Sequence, residues 1–204
     1  MPAQTKEKNL EEDIESFLCS PEGGFFKCDD RHSLLYVEDG TYQMVGGGYM
    51  EHRDRALDAA TLVNFIQTTQ PKAWDRFERM CNSDSTAKFA KVFNDAVDRL
   101  GMVAVLKHGF KHRGIPFKVV FFKPESGLNE SAADHYAKNV CRCIRQFHFA
   151  ETGNQTIDMV LDVNGIPLVG IELKDQFTGQ DVENAMRQWR EDRDPRCRCL
   201  KFNT

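Results

Sequence analysis

Two short apolar runs joined by Asn164-Gly165 constrain this chain more than any other feature. Residues 156–163 read TIDMVLDV and residues 166–174 read IPLVGIELK. β-Branched and aliphatic residues dominate both, and Asn-Gly between such runs is the strongest short-range hairpin signal. The second run is too apolar for a strand with one wet face, so it belongs to a sheet covered on both sides. A covered sheet needs helices packed on it, and the rest of the chain must supply them.

It has the patterns to do so. Leu10, Ile14, Phe17 and Leu18 fall on one helical stripe, predicting a helix over residues 8–19. Residues 20–50 are rich in turn formers and read as a loop with a short hairpin. Their Gly46-Gly47-Gly48 lacks the Lys and hydroxyl of a phosphate-binding loop. Asp58 can cap a helix carrying Leu62, Phe65 and Ile66. Pro71 suits the first turn of a second, with Trp74, Phe77 and Met80. Ser85 can open a third, with Phe89, Val92, Phe93, Ala96, Val97 and Leu100 inside and Gly101 as its stop. Residues 115–123 then read as a strand, 129–139 as a short helix capped by Asn129 or Ser131, and 140–150 as a further strand. Thr178 and Asp181 form a capping box before a helix burying Val182, Ala185, Met186 and Trp189. The expectation is one α/β domain over residues 1–204, with a mixed central sheet of four or five strands flanked by helices. Residues 1–100 are its mostly helical part, and 101–204 hold the sheet and the helix after it.

At 204 residues, 41% hydrophobic and 28% charged, the composition is globular. The longest apolar runs are strand-sized, and MPAQTKEKNLEED has no apolar stretch for a secretory signal, so no membrane association is expected. Seven cysteines without such a signal point to free thiols in the cytoplasm. The net charge of −4 hides a basic segment, residues 101–123, with Lys107, Lys111, Arg113, Lys118 and Lys123 and no acid. That segment suits contact with nucleic-acid phosphates, through Lys111 and Arg113 beside His108 and His112.

The chemistry concentrates in residues 156–189. Asp158 lies on one strand, and the next ends in Glu172-Leu173-Lys174. Alternation puts Glu172 and Lys174 on one face. Two carboxylates and a lysine there can hold a hard cation such as Mg²⁺, which takes one or two carboxylates and fills its shell with water and phosphate. The ammonium can orient a water and offset charge developing on phosphorus.

Asp158 with Glu172-x-Lys174 resembles the PD-(D/E)xK signature of restriction-endonuclease-like folds. The longer stretch IDMVLDVNGIPLVGIELKDQFTGQDVENAMRQWREDRDPR resembles the nuclease domain of the R subunit of type I restriction-modification enzymes. RALDAATLVNFIQTTQPKAWDRF, VLKHGFKHRGIPFKVVFFKPESGLN and VCRCIRQFHF are similar to that subunit's N-terminal region. The resemblance implies an Mg²⁺-dependent endonuclease cutting double-stranded DNA. Asp158 and Glu172 would be metal ligands, joined by the Leu173 carbonyl, with Lys174 as the catalytic lysine. Ile157 stands where the signature has proline. Gln188 occupies the helix position of a QxxxY motif, but Asp192 replaces its tyrosine. Glu12 or Glu15 would support the metal from the first helix. Arg187 and Arg190 would hold DNA backbone from the last. The resemblance also implies methylation and specificity subunits as partners, and an ATP-driven motor in a longer parent protein of which this chain is a fragment. The runner-up is a non-catalytic or decayed docking module for those subunits. The intact Asp158, Glu172 and Lys174 argue against decay.

Two further patterns compete for attention. Cys141-x-Cys143 and Cys197-x-Cys199 suggest a thiolate metal site, though their spacing is shorter than that of usual zinc sites. A regular two-residue turn at Asn164-Gly165 would place Asp158 opposite Ile171 and point its carboxylate away from Glu172. The two can share a cation only if the pairing shifts by one residue. An odd-length turn or a bulge is therefore expected near Pro167.

Overall fold

The two apolar runs form strands β7 (Thr156–Val163) and β8 (Ile166–Ile171), neighbours in a four-stranded mixed sheet of order β1-β6-β7-β8. A computed structural model describes residues 3–81, 84–125, 129–174, 182–194 and 196–202. For residues 3–7, 182, 184, 185, 188, 192, 201 and 202 it describes the backbone only. The chain divides into two compact units, one of residues 1–30, 141–162 and 167–204, the other of 31–140 and 163–166.

The first unit holds the sheet. β1 (Phe26–Cys28) pairs in parallel with β6 (Cys141–His148), so part of the expected 20–50 loop is an edge strand. Helix α1 (Ala3–Leu18) is rotated from its expected orientation, with Ile14 and Leu18 still half-buried. Leu10 and Phe17, placed inside by periodicity, are 42% and 66% exposed, whereas Glu11 and Glu15 are buried. Glu11 accepts from Arg145 Nε at 3.1 Å and from Gln146 Nε2 at 3.0 Å, and Glu15 pairs with Lys27 at 2.6 Å. Cations on the sheet draw the acidic face of the helix inward, which a count of apolar residues does not reveal.

At the sheet's centre Arg142 and Asp162 face each other from β6 and β7, both fully buried. Arg142 Nε donates to both Asp162 oxygens, at 2.9 and 3.1 Å, and Nη2 donates to Oδ2. This bidentate geometry is what makes a buried charge pair tolerable.

The second unit packs helices around an aromatic core. The helices are α2 (Ala59–Thr69), α3 (Pro71–Glu78), α4 (Ser85–Leu100) and α5 (Met102–His108). Trp74, Phe77, Phe89 and Phe117 contact one another edge-on or tilted, with centroids 5.0–5.9 Å apart. Asp58 caps α2 as expected, but Asp84 rather than Ser85 caps α4. A hairpin of β2 (His32–Tyr36) and β3 (Tyr42–Gly46) lies beside α2. The 115–123 strand shrinks to β5 (Ile115–Phe117), paired with β4 (Phe110–His112). Helix α6 (Glu130–Ala137) is capped by Asn129.

The β7–β8 turn belongs to this second unit and overturns the odd-length expectation. Asn164 and Gly165 both have positive φ, 54° and 82°, the two-residue hairpin geometry. Asn164 is fully buried. Its side chain donates to the Val119 carbonyl at 2.8 Å and to Asn139 Oδ1 at 3.1 Å, and accepts from Val140 N at 2.7 Å. A Cβ on Gly165 would lie 2.5 Å from the Asp58 carbonyl oxygen, so only glycine fits.

Asp162→Asn removes the negative charge that grips the buried Arg142 guanidinium. Chemical denaturation is expected to show a loss of about 3–5 kcal/mol. A loss below about 1 kcal/mol would mean the pair contributes little.

Candidate functional site

Residues 172–174 follow β8 without continuing it. β8 ends at Ile171, one residue before Glu172, so strand alternation no longer governs the Glu172 side chain. The Asp158 charge reaches Glu172 here. Asp158 Oδ2 accepts from Leu173 N at 2.7 Å. Lys174 Nζ lies 3.3 Å from Glu172 Oε1. Burial, then the Asp158 charge, push the Glu172 carboxyl above its usual range, against the pull of Arg193 and Lys174. The structure thus brings Asp158, Glu172, Leu173 and Lys174 together.

It adds a residue that periodicity did not single out. Arg193 Nη2 donates to Glu172 Oε2 at 2.5 Å, with both side chains almost fully buried. Its guanidinium carbon sits 4.7 Å from the Phe149 ring centroid and 4.2 Å from that of Trp189. Two stacked faces and one carboxylate hold it. Burial lowers its pKa, while Glu172 and Asp158 oppose that shift. In the sequence Arg193 looks like one more solvated charge in Arg-Glu-Asp-Arg-Asp. Its helical spacing of four from Trp189 was the signal available.

The other expected residues lie elsewhere. Glu15 pairs with Lys27 and Arg145, and Glu12 lies 3.9 Å from Arg145. Among the described residues no group of three or more His, Cys, Asp and Glu side chains is arranged to hold a metal ion, so neither Glu completes a three-carboxylate set. The capping box at Thr178 and Asp181 lies outside the described residues, as does the Gln188 side chain. The helix itself is short: α7 (Val182–Arg187) passes into a π-helical turn, Gln188–Asp192. That change of pitch breaks the expected stripe. Met186 is 43% exposed, and Trp189 meets Arg193. Arg187 and Arg190 are exposed. In the second unit, exposed Lys111 and Arg113 line an open cleft of about 280 Å³ with Arg99, Asp95 and His112.

All seven cysteines are free thiols, and among the described residues neither Cys-x-Cys pair belongs to a group of three or more His, Cys, Asp and Glu side chains that could hold a metal ion. Burial pushes the Cys143 and Cys199 thiols up to about 12. Alkylation requires thiolate, so both are expected to stay unmodified by iodoacetamide at pH 8 in the folded chain and to react once it is denatured. Rapid labelling of either in the native chain, read by peptide mass spectrometry, would show that it is not sealed.

No helix among the described residues is long and apolar enough to cross a membrane. No curated protein and no solved structure matches the chain. A family model does: that of the type I restriction enzyme R protein N terminus, over residues 60–201. The match runs from α2 through both strands of the hairpin to Arg193 and the last helix, and so takes in every residue of the Asp158–Glu172 cluster. By this match the chain belongs to the family of type I restriction enzyme R protein N-terminal regions.

Proposed function

We propose that the chain is an endonuclease module that hydrolyses phosphodiester bonds of double-stranded DNA, with Mg²⁺ as cofactor, on behalf of a type I restriction complex. The observation that carries this reading is the convergence of Asp158, Glu172 and Lys174 where β8 ends, in a member of a restriction-enzyme family. Two buried or half-buried carboxylates and a nearby backbone carbonyl fit a hard divalent cation, which needs few protein oxygens. Asp158, Glu172 and the Leu173 carbonyl would hold it. When bound, such a cation lowers the pKa of water and neutralises charge on phosphate.

The chain's own groups have separate tasks. The Leu173 N–H fixes the Asp158 carboxylate by a 2.7 Å bond, so that oxygen does not need ordering when a ligand arrives. Lys174 is a half-buried ammonium beside Glu172, placed to orient a water and to offset charge on the phosphate. Gln188 joins this proposed set through the family resemblance alone. Arg187 and Arg190 are proposed to meet DNA phosphates without reading bases, and Lys111 and Arg113 are each proposed as separate phosphate contacts. Sequence choice and ATP-driven movement then belong to the methylation, specificity and motor parts of the complex.

Glu172→Ala or Lys174→Ala, assayed in the assembled complex, is expected to abolish cleavage and to spare ATP-driven translocation. Normal cutting by either variant would remove the assignment. Arg187→Ala with Arg190→Ala is expected to lower the salt slope of DNA binding by up to about two. An unchanged slope would place the DNA elsewhere.

A further inference from the structure

The Glu172 carboxylate is already fully paired. Arg193 Nη2 takes Oε2 and Lys174 Nζ lies within 3.3 Å of Oε1. With Asp158 the cluster has two negative and two positive charges, so it is neutral. A divalent cation entering it unchanged would add two charges with nothing to balance them, where little water is present to screen them. One protein cation must give way.

Arg193 is the one whose surroundings are incomplete. Its side chain is 3% exposed, yet Nε and Nη1 have no hydrogen-bond partner. Buried donors left unmade are costly, so the pocket satisfies this guanidinium only in part. Two aromatic faces, Phe149 and Trp189, form a slot in which a planar cation can shift while staying stacked. Lys174, by contrast, is 18% exposed and already reaches the rim.

We infer that Arg193 is the internal counter-ion of Glu172, exchanged for the divalent cation: metal uptake and release of the Arg193 guanidinium from Oε2 are one event. Arg193 is thus a positioning residue. It holds Glu172 in place and keeps the site neutral until a cation arrives, and it sets the cation concentration at which the site fills. This rests on the metal-binding role proposed above for Asp158 and Glu172.

The test uses the full chain and Mn²⁺ alone, by calorimetry, with native folding of each variant checked by circular dichroism. Arg193→Met keeps bulk between the rings and removes the charge, and it is expected to bind Mn²⁺ at least about tenfold more tightly than wild type. Arg193→Lys keeps the charge and should stay within about threefold of wild type. Glu172→Gln should lose the binding in either background. A second readout avoids any dependence on Arg193→Met folding. In Trp74→Phe, Trp189 is the sole tryptophan, and Mn²⁺ should change its emission as the stacked guanidinium moves, but not when Glu172→Gln is added. Mn²⁺ binding that depends on Glu172 but is equal or weaker in Arg193→Met, or that leaves Trp189 emission unchanged, overturns the exchange and leaves the metal site standing. Binding unaffected by Glu172→Gln, or no binding, overturns the metal site and the exchange with it.

Discussion

The site depends on a turn that looks ordinary in the sequence. Asn-Gly turns are usually exposed, but here Asn164 is fully buried, and its side chain is hydrogen-bonded to three backbone or side-chain partners. Gly165 O accepts from Asp58 N at 3.0 Å, and Asp58 also caps α2 and accepts from Ser33. Any side chain at 165 would strike the Asp58 carbonyl. The turn therefore has one length and one conformation. From it β7 runs back past Asp158 and β8 runs forward to Ile171, next to Glu172. A slip of one residue would reverse the face of every side chain along both strands, including Asp162, which pairs with Arg142 in the sheet's interior.

Much of this was legible without coordinates. The β7 and β8 runs, the Asp58 and Asn129 caps, the aromatic stripe of α4 and the four-stranded mixed sheet follow from periodicity, β-branching and capping chemistry, which act within a few residues. What failed depended on partners distant in sequence. α1 turned its acidic face inward because Arg145 and Gln146, over 125 residues away, offer donors. β1 was hidden because three residues become a strand only when β6 is there to pair with them. The 115–123 run is as apolar as a strand, but only 115–117 finds a partner.

The candidate site shows the same division. Asp158, Glu172 and Lys174 stand out by type and spacing, but the odd-length turn expected to join the carboxylates does not form. The turn is regular, and the strand simply ends before Glu172. Alternation applies only while a residue stays in the ladder, and the end of a ladder is set by tertiary context. Arg193 was passed over because a charge among charges reads as solvent-facing. Its role rests on Phe149, 44 positions earlier, and on the π-helical turn that sets Trp189 against it. π-Turns inside helices recur at functional sites, since the extra residue re-aims side chains that a regular helix would bury.

The proposed function and the proposed exchange both require that Asp158 and Glu172 hold a single cation whose resting charge balance Lys174 and Arg193 supply. Crystals of the chain grown with Mn²⁺ test it directly, through anomalous scattering at the manganese edge. The claim predicts one strong peak within bonding distance of both the Asp158 and Glu172 carboxylates, with the Arg193 guanidinium no longer on Oε2. Saturating Mn²⁺ with no peak between those carboxylates, and Arg193 still paired to Glu172, would contradict it.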